Sequence, residues 1–298
     1  MSRAQWASFH LFHAESLDQF LNEAVRPFVE AVLAERLATS FFFIRYWEGG
    51  SHIRLRFRTS APKRLVRRTR AHFEQYFEAH PSVRRFDPQG PVSFPNDSVQ
   101  EQPYEPELAR YGGEKGIVVS ERQFEASSRA VLGAMADREW SYESAVGAAL
   151  QLHIIFANTM GFDLQGAARF FADTSEHFSI PKGWLPPNLT LEQAIGQFSD
   201  LFERQRDRLV ALHQDIWSAL AEGQEFEQEW AKHWVRDNLD VAKRLRRARG
   251  LAATEPWTSA ERAIMMSYVH MTNNRLGVLN RDEAYVGYVL MRGFQEAV

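Results

Sequence analysis

The sequence predicts an α+β fold: a small antiparallel, ferredoxin-like sheet with helices, followed by a larger, mostly helical part. Three observations carry this. Over residues 6–80 the apolar period switches between two and 3.6 in the order strand, helix, strand, strand, helix. From Ser120 onward the period is helical. The 298 residues are 45% hydrophobic and 24% charged, which suffices for one large domain or two small ones.

Residues 6–13 read as a strand, with His10 and Phe12 opposite Phe9 and Leu11. Residues 16–35 read as a helix, with Ser16 as N-cap and Phe20, Val25, Phe28, Val29 and Val32 as its apolar stripe. Residues 41–47 and 52–58 form a hairpin through Glu48-Gly49-Gly50-Ser51. On its second strand Ile53, Leu55 and Phe57 point one way, and His52, Arg54, Arg56 and Arg58 the other. Guanidiniums this close repel one another unless an anion lies across them, and their planar fork suits carboxylate or phosphate. The hairpin is therefore expected to present Arg45, Arg54 and Arg56 to an anion. A solvated edge strand charged against aggregation is the other reading of the same pattern.

Residues 62–80 read as a helix burying Leu65, Phe73, Tyr76 and Phe77, with Pro81 after its end. Val92-Ser93-Phe94 or Gly116-Ile117-Val118-Val119 is expected to supply the fourth strand, with a polar loop at 97–113 between them. Ser120-Glu121-Arg122-Gln123 resembles a capping box. Helices are expected at 120–137, 140–160, 164–175, 190–222, 226–249, 258–276 and 281–296. Asn188-Leu189-Thr190 caps one and Gly250 stops another. Residues 1–119 are thus an α/β sheet region with the arginine-bearing hairpin, and residues 120–298 a helical region, read as one integrated domain.

Composition narrows the chemistry. Net charge is -3, from 35 basic and 38 acidic residues, without the basic excess of a nucleic-acid binder. Basic residues cluster instead, eight between Arg54 and Arg70 and five between Lys243 and Arg249, as solvated faces or as a local site for an acidic or peptide ligand. The absence of cysteine excludes disulfides, thiolate metal sites and cysteine nucleophiles, and fits a cytoplasmic protein. There is no signal-peptide core and no apolar run of about 18 residues, so no membrane span is expected. The histidines form no HxxxH or HxxE pair, and GxGxxG, GxxxxGK and GxSxG are all missing. Neither metal nor cofactor is expected.

One helical segment carries chemistry. In Ser267-Tyr268-Val269-His270-Met271-Thr272-Asn273-Asn274-Arg275-Leu276-Gly277, a helix puts Ser267, His270 and Asn274 on one face and Met271 and Arg275 on the next, with Gly277 as terminator. A histidine oriented by such neighbours suits proton transfer. A partly buried structural histidine near a helix end is the alternative.

Taken together, His52-Ile53-Arg54-Leu55-Arg56, the preceding Phe42-Phe43-Ile44-Arg45-Tyr46-Trp47, the Arg110-Tyr111-Gly112-Gly113 segment and the His270-Met271-x-x-Asn274-Arg275-Leu276 motif occur in an order and spacing that resembles one family. The chain is similar to the C-terminal elimination domain of class I lanthipeptide dehydratases, which also exists as stand-alone thiopeptide biosynthesis proteins. The resemblance implies β-elimination of glutamate from glutamylated Ser or Thr of a precursor peptide, giving dehydroalanine or dehydrobutyrine. It assigns catalysis to His270, Arg54 and Arg56, with Arg45, Arg110, Tyr111, Asn274 and Arg275 as substrate-binding residues. The arginines would stabilise carboxylate charge as it develops, and the imidazole would serve as base and conjugate acid. The family pattern places an arginine near Pro106, absent here, which brings in two alternatives. One is a pyridine synthase joining two dehydroalanines by [4+2] aza-cycloaddition with release of the leader peptide. The other is a non-catalytic docking subunit. The implied partners are the precursor peptide and a separate glutamyl-tRNA-dependent glutamylation protein, with no membrane and no direct nucleic acid; a homodimer is compatible with the sequence.

Overall fold

β1 (Gln5–Phe12), β2 (Ser40–Tyr46), β3 (His52–Thr59) and β4 (Ser98–Glu101) form one sheet in the order β2-β3-β1-β4, with antiparallel neighbours throughout. With helices after β1 and β3, this is the ferredoxin-like arrangement expected. The structure is a computed structural model that describes residues 4–85, 93–137, 139–179 and 190–297. It divides into two compact units: Met1–Glu107 with Ser127–Trp140, and Leu108–Ala126 with Ser141–Val298.

In the sheet unit, the core face is built by alternation. Phe9, Leu11, Phe41, Phe43, Ile53, Leu55 and Phe57 are all buried. Each contributes roughly 1.5–3 kcal/mol by leaving water. Helices cover this face. α1 (Leu17–Phe20) begins at Ser16, whose Oγ accepts from the Gln19 N–H at 3.4 Å. It runs through a π-helical turn (Leu21–Val25) into α2 (Arg26–Ala34). Pro27 has no N–H to donate and its ring crowds the preceding carbonyls. The wide turn, closed by the Arg26 N–H on the Leu21 carbonyl, accommodates it. α3 (Pro62–Ala79) buries Leu65, Thr69, Phe73 and Phe77 at four-residue spacing. Phe28 of α2 meets Phe57 at 5.9 Å and Phe73 at 5.0 Å between ring centroids.

Two expectations are corrected. The fourth strand is Ser98–Glu101, not 92–94 or 116–119. Val92 lies outside the described residues, Ser93 and Phe94 are not in a strand, and Gly116 to Val119 are helical. β4 exists because β1 offers an open edge. Arg70 of α3 then covers its outer side, donating to the Val99 carbonyl at 3.3 Å and pairing with Glu101 at 3.0 Å. α4 (Gly113–Ala136) starts well before Ser120, at two positive-φ glycines, Gly112 and Gly113. Ser120 is not a cap but an interior residue, its hydroxyl donating to the Gly116 carbonyl and sharing a hydrogen bond with Tyr268. The later part of α4 belongs to the sheet unit, where Ser128 Oγ accepts the Phe43 N–H of the edge strand β2 at 3.1 Å.

The helical unit is centred on α5 (Tyr142–Thr159), which is buried on nearly every side. On it pack α8 (Arg206–Ala221), α9 (Glu229–Arg249), α10 (Ser259–Leu276) and α11 (Asn280–Glu296), and α6 (Leu164–Ser179) and α7 (Leu191–Glu203) pack on α11. The single helix expected over 190–222 is two, α7 and α8. Thr190 caps α7 in a reciprocal box with Gln193; Asn188 and Leu189 lie outside the described residues. Gly250 and Gly277 end α9 and α10 in the left-handed conformation, as expected. No described helix is long and apolar enough to cross a membrane.

α11 packs tightly because it carries glycine at its contacts. A Cβ on Gly293 would lie 2.2–2.5 Å from the His213 ring, which is buried and bonded through Nδ1 to the Leu209 carbonyl. Gly293→Ala is therefore expected to destabilise the protein by about 1–3 kcal/mol through overpacking. Urea unfolding measures this. Adding His213→Ala should recover part of the loss, and an additive double mutant would show that the ring is not the obstacle.

Candidate functional site

In the sheet unit, the face of β3 opposite the core carries His52, Arg54 and Arg56, flanked by His10 and Ser8 on β1 and by Tyr46, Ile44 and Phe42 on β2. His52 Nδ1–H donates to the Gly50 carbonyl at 2.7 Å, so Nε2 keeps its lone pair and accepts from Arg54 Nε at 3.2 Å. The Arg54 guanidinium also lies 3.5 Å from the Tyr46 ring centroid. Arg56 is deeper, 8% exposed, with Phe42 and Tyr104 rings at 5.2 and 4.8 Å. Among the described residues its Nε has no hydrogen-bond partner. Burial lowers the Arg56 pKa to about 10, Arg54 adding to the effect while Tyr104 and Glu107 oppose it. Burial also draws Arg54 downward. His10 falls to about 3 and His52 to about 4, chiefly by burial and then by the neighbouring arginines. Both imidazoles are thus neutral near pH 7, and the positive charge of this patch comes from its guanidiniums.

Arg45 does not join them. It pairs across the strands with Ile53, which puts it on the core face, where Nη2 meets Asp18 at 2.6 Å. Directly opposed residues of an antiparallel pair share a face, and the hairpin register sets Arg45 against the apolar set. The expected three-arginine ridge is an arginine pair.

In the helical unit, α10 presents His270. The partner of its Nδ1 is Glu283, in the first turn of α11, with both carboxylate oxygens at 2.9 and 3.0 Å. Glu283 is buried; burial raises its pKa, while hydrogen bonds from His270 and Asn273 and the charge of Arg110 pull it down. The His270 ring stacks on Phe178 at 5.4 Å, and its side chain is 22% exposed. Among the described residues its Nε2 has no hydrogen-bond partner. One turn earlier, Ser267 Oγ accepts from Arg110 Nε at 3.0 Å. A neutral imidazole with Nδ1–H on a buried carboxylate leaves the Nε2 lone pair available, which is the arrangement of a general base.

The other expected residues are placed as follows. Tyr111 is buried and stacked on Tyr268 at 6.0 Å. Arg275 is fully buried, donates to the Met271 carbonyl at 2.9 Å and lies 5.5 Å from the Phe124 ring. Asn274 is half-buried on α10. Glu283 is not among the residues expected from the sequence, although a carboxylate within the apolar stripe Ala284, Val286, Gly287 and Leu290 is a readable signal. Two clefts of the helical unit, about 640 and 600 Å³, do not have His270, Arg110 or Glu283 in their linings. Among the described residues no group of three or more His, Asp or Glu side chains is arranged to hold a metal ion.

Five imidazoles bear on acid stability, His72 among them, which burial also draws below its ordinary value. His153 and His213 are buried and fall to about 4, in the same direction as His10 and His52. The unfolded chain binds protons near pH 6.5 that the folded state refuses. Their contribution is complete above pH 6.5 and is lost as pH falls through 6.5 toward 4. The slope is at most about 1.4 kcal/mol per pH unit per buried imidazole. Urea midpoints are expected to drop between pH 7 and pH 5; a flat profile would contradict the burial of these rings.

Comparisons with solved structures agree with this architecture. The pyridine synthase TbtD from thiomuracin biosynthesis superposes with a TM-score of 0.76 at 18% identity, covering 97% of each chain. TsrL gives a TM-score of 0.71 at 16% identity, covering 99% of this chain and 95% of that one. The tRNA-dependent lantibiotic dehydratase MibB from Microbispora sp. 107891 gives 0.65 at 20% identity; 97% of this chain aligns with 28% of MibB. At these identities the likeness is one of fold. No curated protein sequence matches the chain. The model of the family described as "Lantibiotic biosynthesis dehydratase C-term" matches residues 6–294, nearly the whole length, and the chain belongs to that family.

Proposed function

We propose that the protein is an enzyme of ribosomal peptide natural-product biosynthesis that eliminates glutamate from glutamylated Ser or Thr. The observation that carries this is the His270–Glu283 pair, a carboxylate-oriented imidazole with Nε2 available. Nε2 takes the Cα proton of the modified residue. The electron pair forms the Cα=Cβ bond, the Cβ–O bond breaks, and glutamate leaves as a carboxylate. Arg56, with Arg54 beside it, is assigned the carboxylate chemistry, since a buried guanidinium whose Nε has no hydrogen-bond partner among the described residues favours an anionic ligand. Arg110 supports the histidine side through Ser267. The precursor peptide is the substrate, and a separate glutamyl-tRNA-dependent protein supplies it in glutamylated form.

A second reading, the pyridine synthase, is favoured by the match to TbtD over 97% of both chains. Incubation of purified protein with glutamylated precursor, read by mass spectrometry, separates the two. Elimination predicts free glutamate and an alkene-bearing peptide. Action only on peptide already carrying dehydroalanines, with release of the leader, would replace elimination by cycloaddition. If neither peptide changes mass, a docking role replaces both.

A further inference from the structure

Behind Glu283 runs a chain of polar groups that neither reading has used. His153, fully buried on α5, meets Asn273 Oδ1 through Nε2 at 2.8 Å. Asn273, also buried, faces Glu283 Oε2 through Nδ2 at 3.3 Å. With Glu283 ionised, the directions follow from chemistry. The opposite amide orientation would set Oδ1 against a carboxylate oxygen, two acceptors in contact. So Nδ2 donates to Glu283, Oδ1 accepts, and His153 Nε2 must carry the proton. His153 sits between Leu152 and Ile154 on a helix buried on nearly every side, where an imidazole without a partner is costly. Its lowered pKa of about 4, set by burial against the Asn273 bond, agrees with a neutral donor.

We propose that His153 and Asn273 are positioning residues that act through Glu283 to hold His270 in its Nδ1–H tautomer. The inference rests on His270 being the base of the proposed reaction. The physics is a competition at Glu283. Burial favours the protonated acid, and the amide donor from Asn273 opposes that. A protonated Glu283 would donate to Nδ1, move the imidazole proton to Nε2 and remove the lone pair the reaction needs. Asn273 adjoins Asn274 of the His-Met-x-x-Asn-Arg-Leu motif but is not part of it, and His153 lies on a different helix.

The test is the tautomer itself. Protein labelled with ¹⁵N-histidine, without substrate, is measured by long-range ¹H–¹⁵N correlation, the His270 signals being assigned with His270→Asn. The wild type should show Nδ1–H. Asn273→Leu should show Nε2–H or a mixture, and His153→Leu a smaller change in the same direction. His153→Gln, which keeps an N–H for Asn273, should restore the wild-type pattern. With glutamylated peptide, Asn273→Leu should lower kcat about 10–100-fold with KM unchanged, part of the roughly 10²–10⁴-fold that a positioned base supplies. An Nε2–H tautomer in the wild type overturns the proposal and needs no variant. So does an unchanged tautomer in folded Asn273→Leu. A tautomer that shifts as expected in a protein that releases no glutamate leaves the positioning intact and removes the elimination reading instead.

Discussion

His270→Ala is expected to slow glutamate release by about 10²–10⁴-fold, the usual contribution of a positioned general base. The alanine variant also leaves the buried Glu283 with one fewer donor, so part of any stability loss belongs to that carboxylate and not to catalysis. His270→Asn separates the two effects. Its amide can donate to Glu283 from near the position of Nδ1, but it has no basic nitrogen. The asparagine variant should keep a urea midpoint close to the wild type and lose turnover as fully as alanine does. Turnover that survives in folded His270→Asn would remove the imidazole from the reaction.

Arg56→Met is expected to uncouple stability from activity. A guanidinium that is 8% exposed, beside Arg54 and with an unpartnered Nε, sits in an unfavourable place. Removing such an ion from water carries an effective penalty of several kcal/mol. The Phe42 and Tyr104 faces return only about 0.5–2 kcal/mol through cation–π attraction. The Arg56 pKa is lowered although Tyr104 and Glu107 oppose it, so desolvation outweighs these attractions. Methionine, similar in length and apolar, should leave the fold as stable as before or about 1–3 kcal/mol more stable. Activity should move the other way. If Arg56 holds the leaving carboxylate as proposed, losing that charge-assisted contact costs about 1.5–3 kcal/mol, or roughly ten- to a hundredfold in kcat/KM. Urea unfolding and glutamate release on the same sample give both numbers. A variant that is several kcal/mol less stable yet fully active would make Arg56 a structural ion.

Much of this layout is legible in the sequence. The two faces of β3 follow from period-two alternation, and the ends of α9 and α10 follow from Gly250 and Gly277. The fourth strand was not legible. Ser98–Glu101 is four residues with a weak apolar pattern, and it becomes a strand only because β1 presents an unpaired edge. The apolar run Gly116 to Val119 read as a strand, yet the turn closed by the Gly113 N–H on the Leu108 carbonyl starts a helix there. The face that Arg45 takes is hidden for a similar reason. Alternation gives each strand two faces, but which face of β2 matches which face of β3 depends on the register across the turn.

By itself the sequence determined which side chains share a strand face or a helix face, because those periods are properties of the local backbone. It also carried the four segments on which the resemblance to the family rests. The tertiary structure alone decided which groups complete one another. Ser267 shares a helix face with His270 but takes Arg110, while His270 takes a carboxylate from the next helix, itself braced from α5. A hydrogen bond is a matter of tenths of an ångström between atoms far apart in the chain, and only packing brings such atoms into range.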